Sequence, residues 1–333
     1  MQNDIPSTML RSLLAEWFVG VEDAQIELHG TSTGLSGALV WRVSIGGKTF
    51  CLKRWPREHP APDELASVHG LLQHLARSGF QIVPAPVVTH GRQSFLHSDD
   101  HLWELTPWLP GKPYDRNQPS LEKRIMAMRC LAQFHLTANS HQIPTVGAAP
   151  GLQKRREILL GLHGGDLERL RQAVGAKPAS ELRAVAEEML FQIGRALPTV
   201  LGELEQAADV PLTLQWCLRD VKCDHVLFAG EQVSGLIDFG AAAVDSVAGD
   251  VARLVGSLVG DAREDWPPAL EAYHACRPLS PDERRAIDCF DRGGTLAAAA
   301  NWLRWLFVEE RSISQAEAVQ AQLVQLRGRL QAL

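Results

Sequence analysis

The sequence predicts an α+β, bilobal fold: a small antiparallel β-sheet lobe at the N-terminus followed by a larger, mainly helical lobe. Three observations predict it. The first hundred residues alternate short β-type runs with glycine-bearing turns, the segment 107–113 (Pro-Trp-Leu-Pro-Gly-Lys-Pro) breaks the chain, and beyond it helical periodicity dominates. The expected boundaries are 1–106 for the first lobe, 107–113 for a hinge and 114–333 for the second lobe, with a ligand cleft between the lobes.

Residues 25–29, 39–45 and 49–54 read as strands of a meander, separated by Gly-Thr-Ser-Thr-Gly-Leu-Ser-Gly at 30–37 and by Gly46-Gly47, which is hairpin chemistry. Pro62-Asp63-Glu64 opens a helical pattern in which Leu65, Val68, Leu72 and Leu75 recur on one face until Gly79 closes it. Two further strands are expected at 87–89 and 102–105. In the second lobe 121–137 is an amphipathic helix, 141–152 a loop of small residues and prolines, and 181–207 another helix. The region 211–245 interrupts the helices with a hairpin, strands 226–228 and 233–237 around the turn 229–232. Ser280-Pro281-Asp282-Glu283 is a helix start, a capping box with proline in the first turn.

Composition narrows the function classes. With 333 residues, 45% hydrophobic and 22% charged, the chain is long enough to bury a sizeable core. A net charge of −6 argues against a nucleic-acid backbone as the main partner, because such proteins carry a basic face. The longest apolar stretches, 251–259 and 295–306, are broken by Arg253, Asn301 and Arg304, so no membrane span is expected. The N-terminus lacks a basic start and apolar run, which makes the cytoplasm the expected location. Six scattered cysteines without a C-x-x-C pair read as free thiols, and Cys217, Cys223 and His225 have no second ligand pair at zinc spacing.

The chemistry is concentrated in two aspartates eighteen positions apart, Asp220 in Leu-Arg-Asp-Val-Lys-Cys-Asp-His and Asp238 in Ile-Asp-Phe-Gly, with a short hairpin between them. A loop aspartate followed by a hairpin and an Asp-Phe-Gly turn sets a general base beside a carboxylate suited to Mg²⁺ on ATP. Asp220 is then the base or the group that orients an attacking hydroxyl, and Lys222, two residues on, neutralises charge on the γ-phosphate. Lys53, at the end of the third strand, is placed to meet the α- and β-phosphates, although a lysine there also suits a solvent face. Gly34 and Ser36 in Thr-Gly-Leu-Ser-Gly can present backbone N–H groups and a hydroxyl to phosphates, and a plain hairpin loop would use the same glycines. Glu64 is the candidate brace for Lys53, yet it lies in a first helical turn where acidic residues are favoured for the helix dipole alone.

Taken in this order, these residues resemble the aminoglycoside phosphotransferase and choline kinase branch of the protein-kinase-like fold. The likeness also rests on Trp103-Glu104-Leu105 and Trp108-Leu109-Pro110-Gly111 at the hinge, Leu131-Ala132-Gln133-Phe134-His135, and Gly249-Asp250-Val251-Ala252-Arg253-Leu254, spanning residues from about 30 to 255. The resemblance implies that Lys53 binds ATP phosphates, Asp220 is the catalytic base and Asp238 holds Mg²⁺. It further implies that residues from Glu104 to Trp108 supply backbone to adenine, that Asp250 braces the catalytic loop and that His135 packs under it. Two positions depart from the pattern: Leu218 stands where the family has His, and His225 where it has Asn. The Asn normally helps hold a second metal, and imidazole suits Mn²⁺ or Zn²⁺ better than Mg²⁺.

The expected activity is ATP-dependent phosphorylation of a hydroxyl on a small molecule. No Ala-Pro-Glu-like anchor follows Gly240, which disfavours a protein substrate. The alternative left open by His225 is a catalytically impaired kinase-like protein that binds nucleotide or a partner. Glu264, Asp265, Glu309 and Glu310 read as solvated helix faces, and Trp302 and Trp305 as packing residues.

Overall fold

The computed structural model describes residues 5–31, 37–311 and 316–333, with the side chains of residues 30, 31 and 316–318 left aside. Gly34 and Ser36 lie outside the described residues. The chain divides into two compact units, Met1–Asp115 with Asp224–Ala241, and Arg116–Cys223 with Ala242–Leu333. Residues 107–113 lie in the first unit, and so does the hairpin region 224–241.

In the first unit, α1 (Ser7–Leu14) precedes a five-stranded antiparallel sheet in the order β1-β2-β3-β5-β4. Its strands are β1 (Gln25–Thr31), β2 (Leu39–Ile45), β3 (Lys48–Arg54), β4 (Leu96–Ser98) and β5 (His101–Pro107), and α2 (Pro62–Arg77) lies between β3 and β4 in sequence. The β2–β3 ladder turns at Gly46 and Gly47, both at positive φ, where a side chain would be strained. Leu10, Leu13, Leu14 and Trp17 recur at helical spacing and bury against Trp41, Val43, Leu52, Trp103 and Leu105 of the sheet. A second, three-stranded sheet has the order β10-β9-β6, with β6 (Lys112–Pro113), β9 (Val226–Ala229) and β10 (Gln232–Leu236). Pro113 is tolerated because it sits on an edge strand.

The strand expected at 87–89 does not form. Val87 N–H donates once to Leu105 at 2.8 Å, but Thr89 N–H turns back to Gln93, so no ladder develops. The edge strand is β4 instead, joined to β5 through Asp99 and Asp100, both left-handed, which is the backbone of a tight hairpin.

The second unit is built on α3 (Leu121–Ala138), α4 (Pro150–Gly161), α5 (Leu167–Gly175), α6 (Glu181–Ala207), α7 (Val247–Val259), α8 (Pro267–Cys276), α9 (Pro281–Phe307) and α10 (Ala316–Gln331). A small antiparallel sheet accompanies them in the order β11-β8-β7, from β7 (Thr145–Ala148), β8 (Pro211–Cys217) and β11 (Ala243–Ser246). The loop read at 141–152 therefore holds a strand and the start of a helix. Pro144 and Pro150 punctuate it as expected, but pairing with β8 orders residues 145–148 between them. Among the described residues no helix is long and apolar enough to cross a membrane. Trp302 and Trp305 meet edge to face at 5.6 Å, consistent with the packing role read for them.

The capping box at α9 forms as the sequence predicts. Glu283 N–H donates to Ser280 Oγ at 3.0 Å and Ser280 N–H to Glu283 Oε2 at 2.9 Å. Replacing Ser280 with alanine is expected to cost about 1 kcal/mol, read as a lower unfolding midpoint.

Candidate active site

In the first unit the candidate residues converge on one indole. Leu52 points into the core, so the strand alternation turns Lys53 to the opposite face, and its Nζ lies 3.4 Å from the centre of the Trp55 ring. The far edge of the same ring meets Gly240: a Cβ there would lie 2.8 Å from the Trp55 six-membered ring and 3.6 Å from Asp238 Oδ1. Glycine is required at 240 for that contact. Trp55 thus links the strand carrying Lys53 to the turn carrying Asp238, and reading the sequence for charged groups alone overlooked it. The signal was its spacing, two residues from Lys53.

Glu104 stands directly opposite Lys53 in the β3–β5 register. Its carboxylate is buried and lies 2.6 Å from His69 Nε2 on α2. Glu64, by contrast, accepts from Ala61 N–H at 3.0 Å and so caps the first turn of α2. Of the two acidic residues named from sequence, Glu104 is the one whose backbone position faces Lys53.

Asp238 follows β10 with φ +65, a left-handed conformation that aspartate tolerates better than most residues. Its carboxylate is 47% exposed, and Oδ2 lies 3.5 Å from Nε2 of the buried His225. A half-exposed carboxylate and an imidazole at this separation form a donor pair that fits a divalent cation, with the nitrogen favouring Mn²⁺ over Mg²⁺.

In the second unit the loop after β8 is pinned from below. Asp250, on α7 and 1% exposed, accepts from Leu218 N–H at 2.6 Å and Arg219 N–H at 2.7 Å. Its Oδ2 also lies 3.1 Å from His135 Nε2, while His135 Nδ1 is 2.7 Å from Tyr273 Oη. Burial depresses the His135 pKa, partly offset by Asp250, so the ring is neutral and donates from Nε2 to the carboxylate. Gln215 Nε2 donates to the His135 carbonyl at 2.9 Å, tying β8 to α3. Asp250 and His135 therefore do what the sequence resemblance implied for them. With Arg219 at φ +64, this anchored backbone turns out Asp220, whose 42% exposed carboxylate contacts Arg253. Lys222 sits half-buried two residues on, and Ser257 Oγ accepts from Cys223 N–H at 2.8 Å to close the loop.

His135, Cys217 and Asp250 present ligand atoms within 4.8 Å of one another. They do not make a metal centre. Burial pushes the Cys217 thiol well above its ordinary pKa, so it stays protonated and donates to the Asp245 carbonyl, and the oxygens of Asp250 are already occupied.

The model of the phosphotransferase enzyme family known as APH matches residues 31–289. The chain belongs to this family. Among curated proteins it is similar to homoserine kinase of Janthinobacterium sp. (strain Marseille), 27% identical over 254 residues, covering 74% of this chain and 70% of that one. Among solved structures it is similar to an aminoglycoside phosphotransferase from Alicyclobacillus acidocaldarius, with a TM-score of 0.66 and 18% identity over 100% of this chain and 98% of the other. A spectinomycin phosphotransferase in complex with ADP and spectinomycin gives a TM-score of 0.70 at 14% identity, covering both chains fully. The α+β, kinase-like fold expected from the sequence is the fold of these proteins. Within the family match fall Lys53, Glu104, Asp220, Lys222, His225 and Asp238, divided between the units: Asp220 and Lys222 in the second, the others in the first.

Proposed function

We propose that this protein is an ATP-dependent kinase that transfers the γ-phosphoryl group to a hydroxyl of a small molecule. The observation that carries the reading is the loop bearing Asp220, held by two backbone N–H bonds to the buried Asp250, in a chain of the phosphotransferase family. Phosphoryl transfer asks for positioning and charge, and a base fixed on a pinned loop supplies positioning.

Asp220 accepts the proton of the acceptor hydroxyl as it attacks, and Lys222 offsets the charge that develops on the transferred group. Lys53, steadied on Trp55 and facing Glu104, binds the nucleotide phosphates. Gly34 and Ser36 belong to the same proposal as phosphate contacts, and residues Glu104 to Trp108 as backbone for adenine. Asp238, with His225 beside it, would hold a divalent cation, Mg²⁺ or Mn²⁺, which neutralises phosphate charge when bound. The similarity to homoserine kinases supports an acceptor of that small size.

Two measurements test this. ATP turnover against a panel of hydroxyl metabolites, with Mg²⁺ and with Mn²⁺, is expected to find phosphoryl transfer, and no turnover with either ion would sink the reading. His225→Asn is expected to raise the ratio of Mg²⁺-supported to Mn²⁺-supported activity by about tenfold, because it exchanges a nitrogen for an oxygen donor. An unchanged ratio removes His225 from the cation site. The second reading, a kinase-like protein that binds nucleotide or a partner without transfer, is favoured by one observation, His225 in the place of the family's Asn. Nucleotide stabilisation in a thermal-shift assay without turnover would select it.

A further inference from the structure

α2 buries Leu65, Val68, Leu71, Leu72 and Leu75, and one polar side chain, His69, is buried among them. An imidazole in a row of leucines is destabilising relative to another leucine unless its nitrogens find partners. Only one of them does. His69 Nε2 lies 2.6 Å from Glu104 Oε2, with 2% and 11% of the two side chains exposed. Nδ1 is buried with no hydrogen-bond partner among the described residues, and the ring meets Phe95 edge to face at 5.9 Å.

That pattern fixes the tautomer. A carboxylate oxygen only accepts, so the ring hydrogen sits on Nε2 and Nδ1 carries the lone pair. Such a ring orients the carboxylate through one bond and, unlike a lysine or an arginine, brings no charge to cancel it. The charge of Glu104 is left for another partner.

The residue directly opposite Glu104 in the β3–β5 register is Lys53, where Cβ atoms stand about 5 Å apart. Lys53 therefore has two seats within reach of its long side chain: the Trp55 ring, with Nζ 3.4 Å from its centre, and this carboxylate. α2 offers no carboxylate in competition. Its acidic residues, Asp63 and Glu64, are both exposed in the first turn.

We propose that His69 is a positioning residue for Lys53: it holds Glu104 by Oε2, so that the other carboxylate oxygen meets the ammonium and aims it at the nucleotide phosphates. The sheet supplies the carboxylate and the helix an imidazole, the reverse of a brace carried on α2. The proposal rests on the kinase reading for the role of Lys53, and it adds the side chain that couples α2 to phosphate binding.

Double-mutant cycles read on ATP test this. Calorimetry with Mn²⁺ and with Mg²⁺ gives the dissociation constant for ATP, and turnover with an acceptor from the hydroxyl panel gives kcat and both KM values. His69→Leu keeps the row apolar and removes the donor. It is expected to weaken ATP binding and raise the KM for ATP by about tenfold, with the KM for the acceptor unchanged. His69→Gln, whose amide nitrogen can take the place of Nε2, is expected to restore both to within about threefold. On a Glu104→Gln or Lys53→Met background, His69→Leu is expected to change ATP binding by less than about twofold, because the link it breaks is already broken. His69→Met, with its adaptable side chain, carries the same test should the leucine variant fail to fold.

A tenfold loss that persists on both backgrounds, or an ATP dissociation constant that does not move in a folded His69→Leu protein, overturns the positioning role; turnover by the wild type then leaves the kinase reading standing. Coupling of His69 to Lys53 in ATP binding, with no transfer to any acceptor, upholds the positioning role and removes the kinase reading. ATP neither bound nor turned over removes both.

Discussion

Asp220→Asn is expected to lower kcat for phosphoryl transfer by about 10²- to 10⁴-fold, the range that a positioned general base contributes. The substitution keeps size and hydrogen bonding but removes the proton acceptor. Folding is expected to be unaffected, because Asp220 and its partner Arg253 are both well exposed, at 42% and 39% of their side chains, and an exposed pair contributes little to stability. Nucleotide binding is expected to persist, since Lys53 and Asp238 belong to the other unit. Single-turnover kinetics and a thermal shift with ATP measure the two separately. Turnover within tenfold of the wild type would show that Asp220 is not the base.

The largest stability effect is expected at Asp250, which the proposed chemistry never touches. Asp250→Ala leaves the N–H groups of Leu218 and Arg219 and the Nε2–H of His135 without their acceptor, all at the buried end of the loop. Stranding buried polar groups in this way is expected to cost about 3–5 kcal/mol. Asp250→Asn, which keeps one oxygen acceptor, should fall between the alanine variant and the wild type. Thermal unfolding gives the order. A loss below about 1 kcal/mol for the alanine variant would mean that the loop is held by other contacts, such as Cys223 to Ser257. Activity is expected to fall in parallel, because Asp220 is carried on the backbone that Asp250 fixes.

These two residues mark the difference between chemistry that is local in sequence and support that is not. Asp220 and Asp238 are legible because each sits in a short motif with turn chemistry around it, and both flank a hairpin that forms as expected, β9 to β10. The helix at 181–207 is legible for the same reason: its period is long and unbroken, even across Pro198. Elements that depend on a partner were harder to see. β7 and β4 are short edge strands with little alternation, ordered by β8 and β5 respectively. Val87 and Thr89 looked like a strand, but their backbone groups separate, one to β5 and one to a local turn.

At the candidate site the same rule holds. The sequence offers Glu64 as the brace for Lys53 and Glu104 only as backbone for adenine. In the tertiary structure Glu64 caps the N-terminus of α2, and Glu104 stands opposite Lys53 in the ladder with His69 beside its carboxylate. Trp55 gained a role only when its ring was seen between Lys53 and Gly240.

The sequence by itself determined the α+β class, the phosphotransferase resemblance, and the identity of Lys53, Asp220, Lys222 and Asp238 as candidates, because motif spacing and period are properties of neighbours along the chain. Only the tertiary structure decided what surrounds them: the hairpin's place in the first unit and the Asp250–His135–Tyr273 support. Those are contacts between residues up to about 140 positions apart, fixed by packing and by satisfying buried polar groups, and no local pattern encodes them.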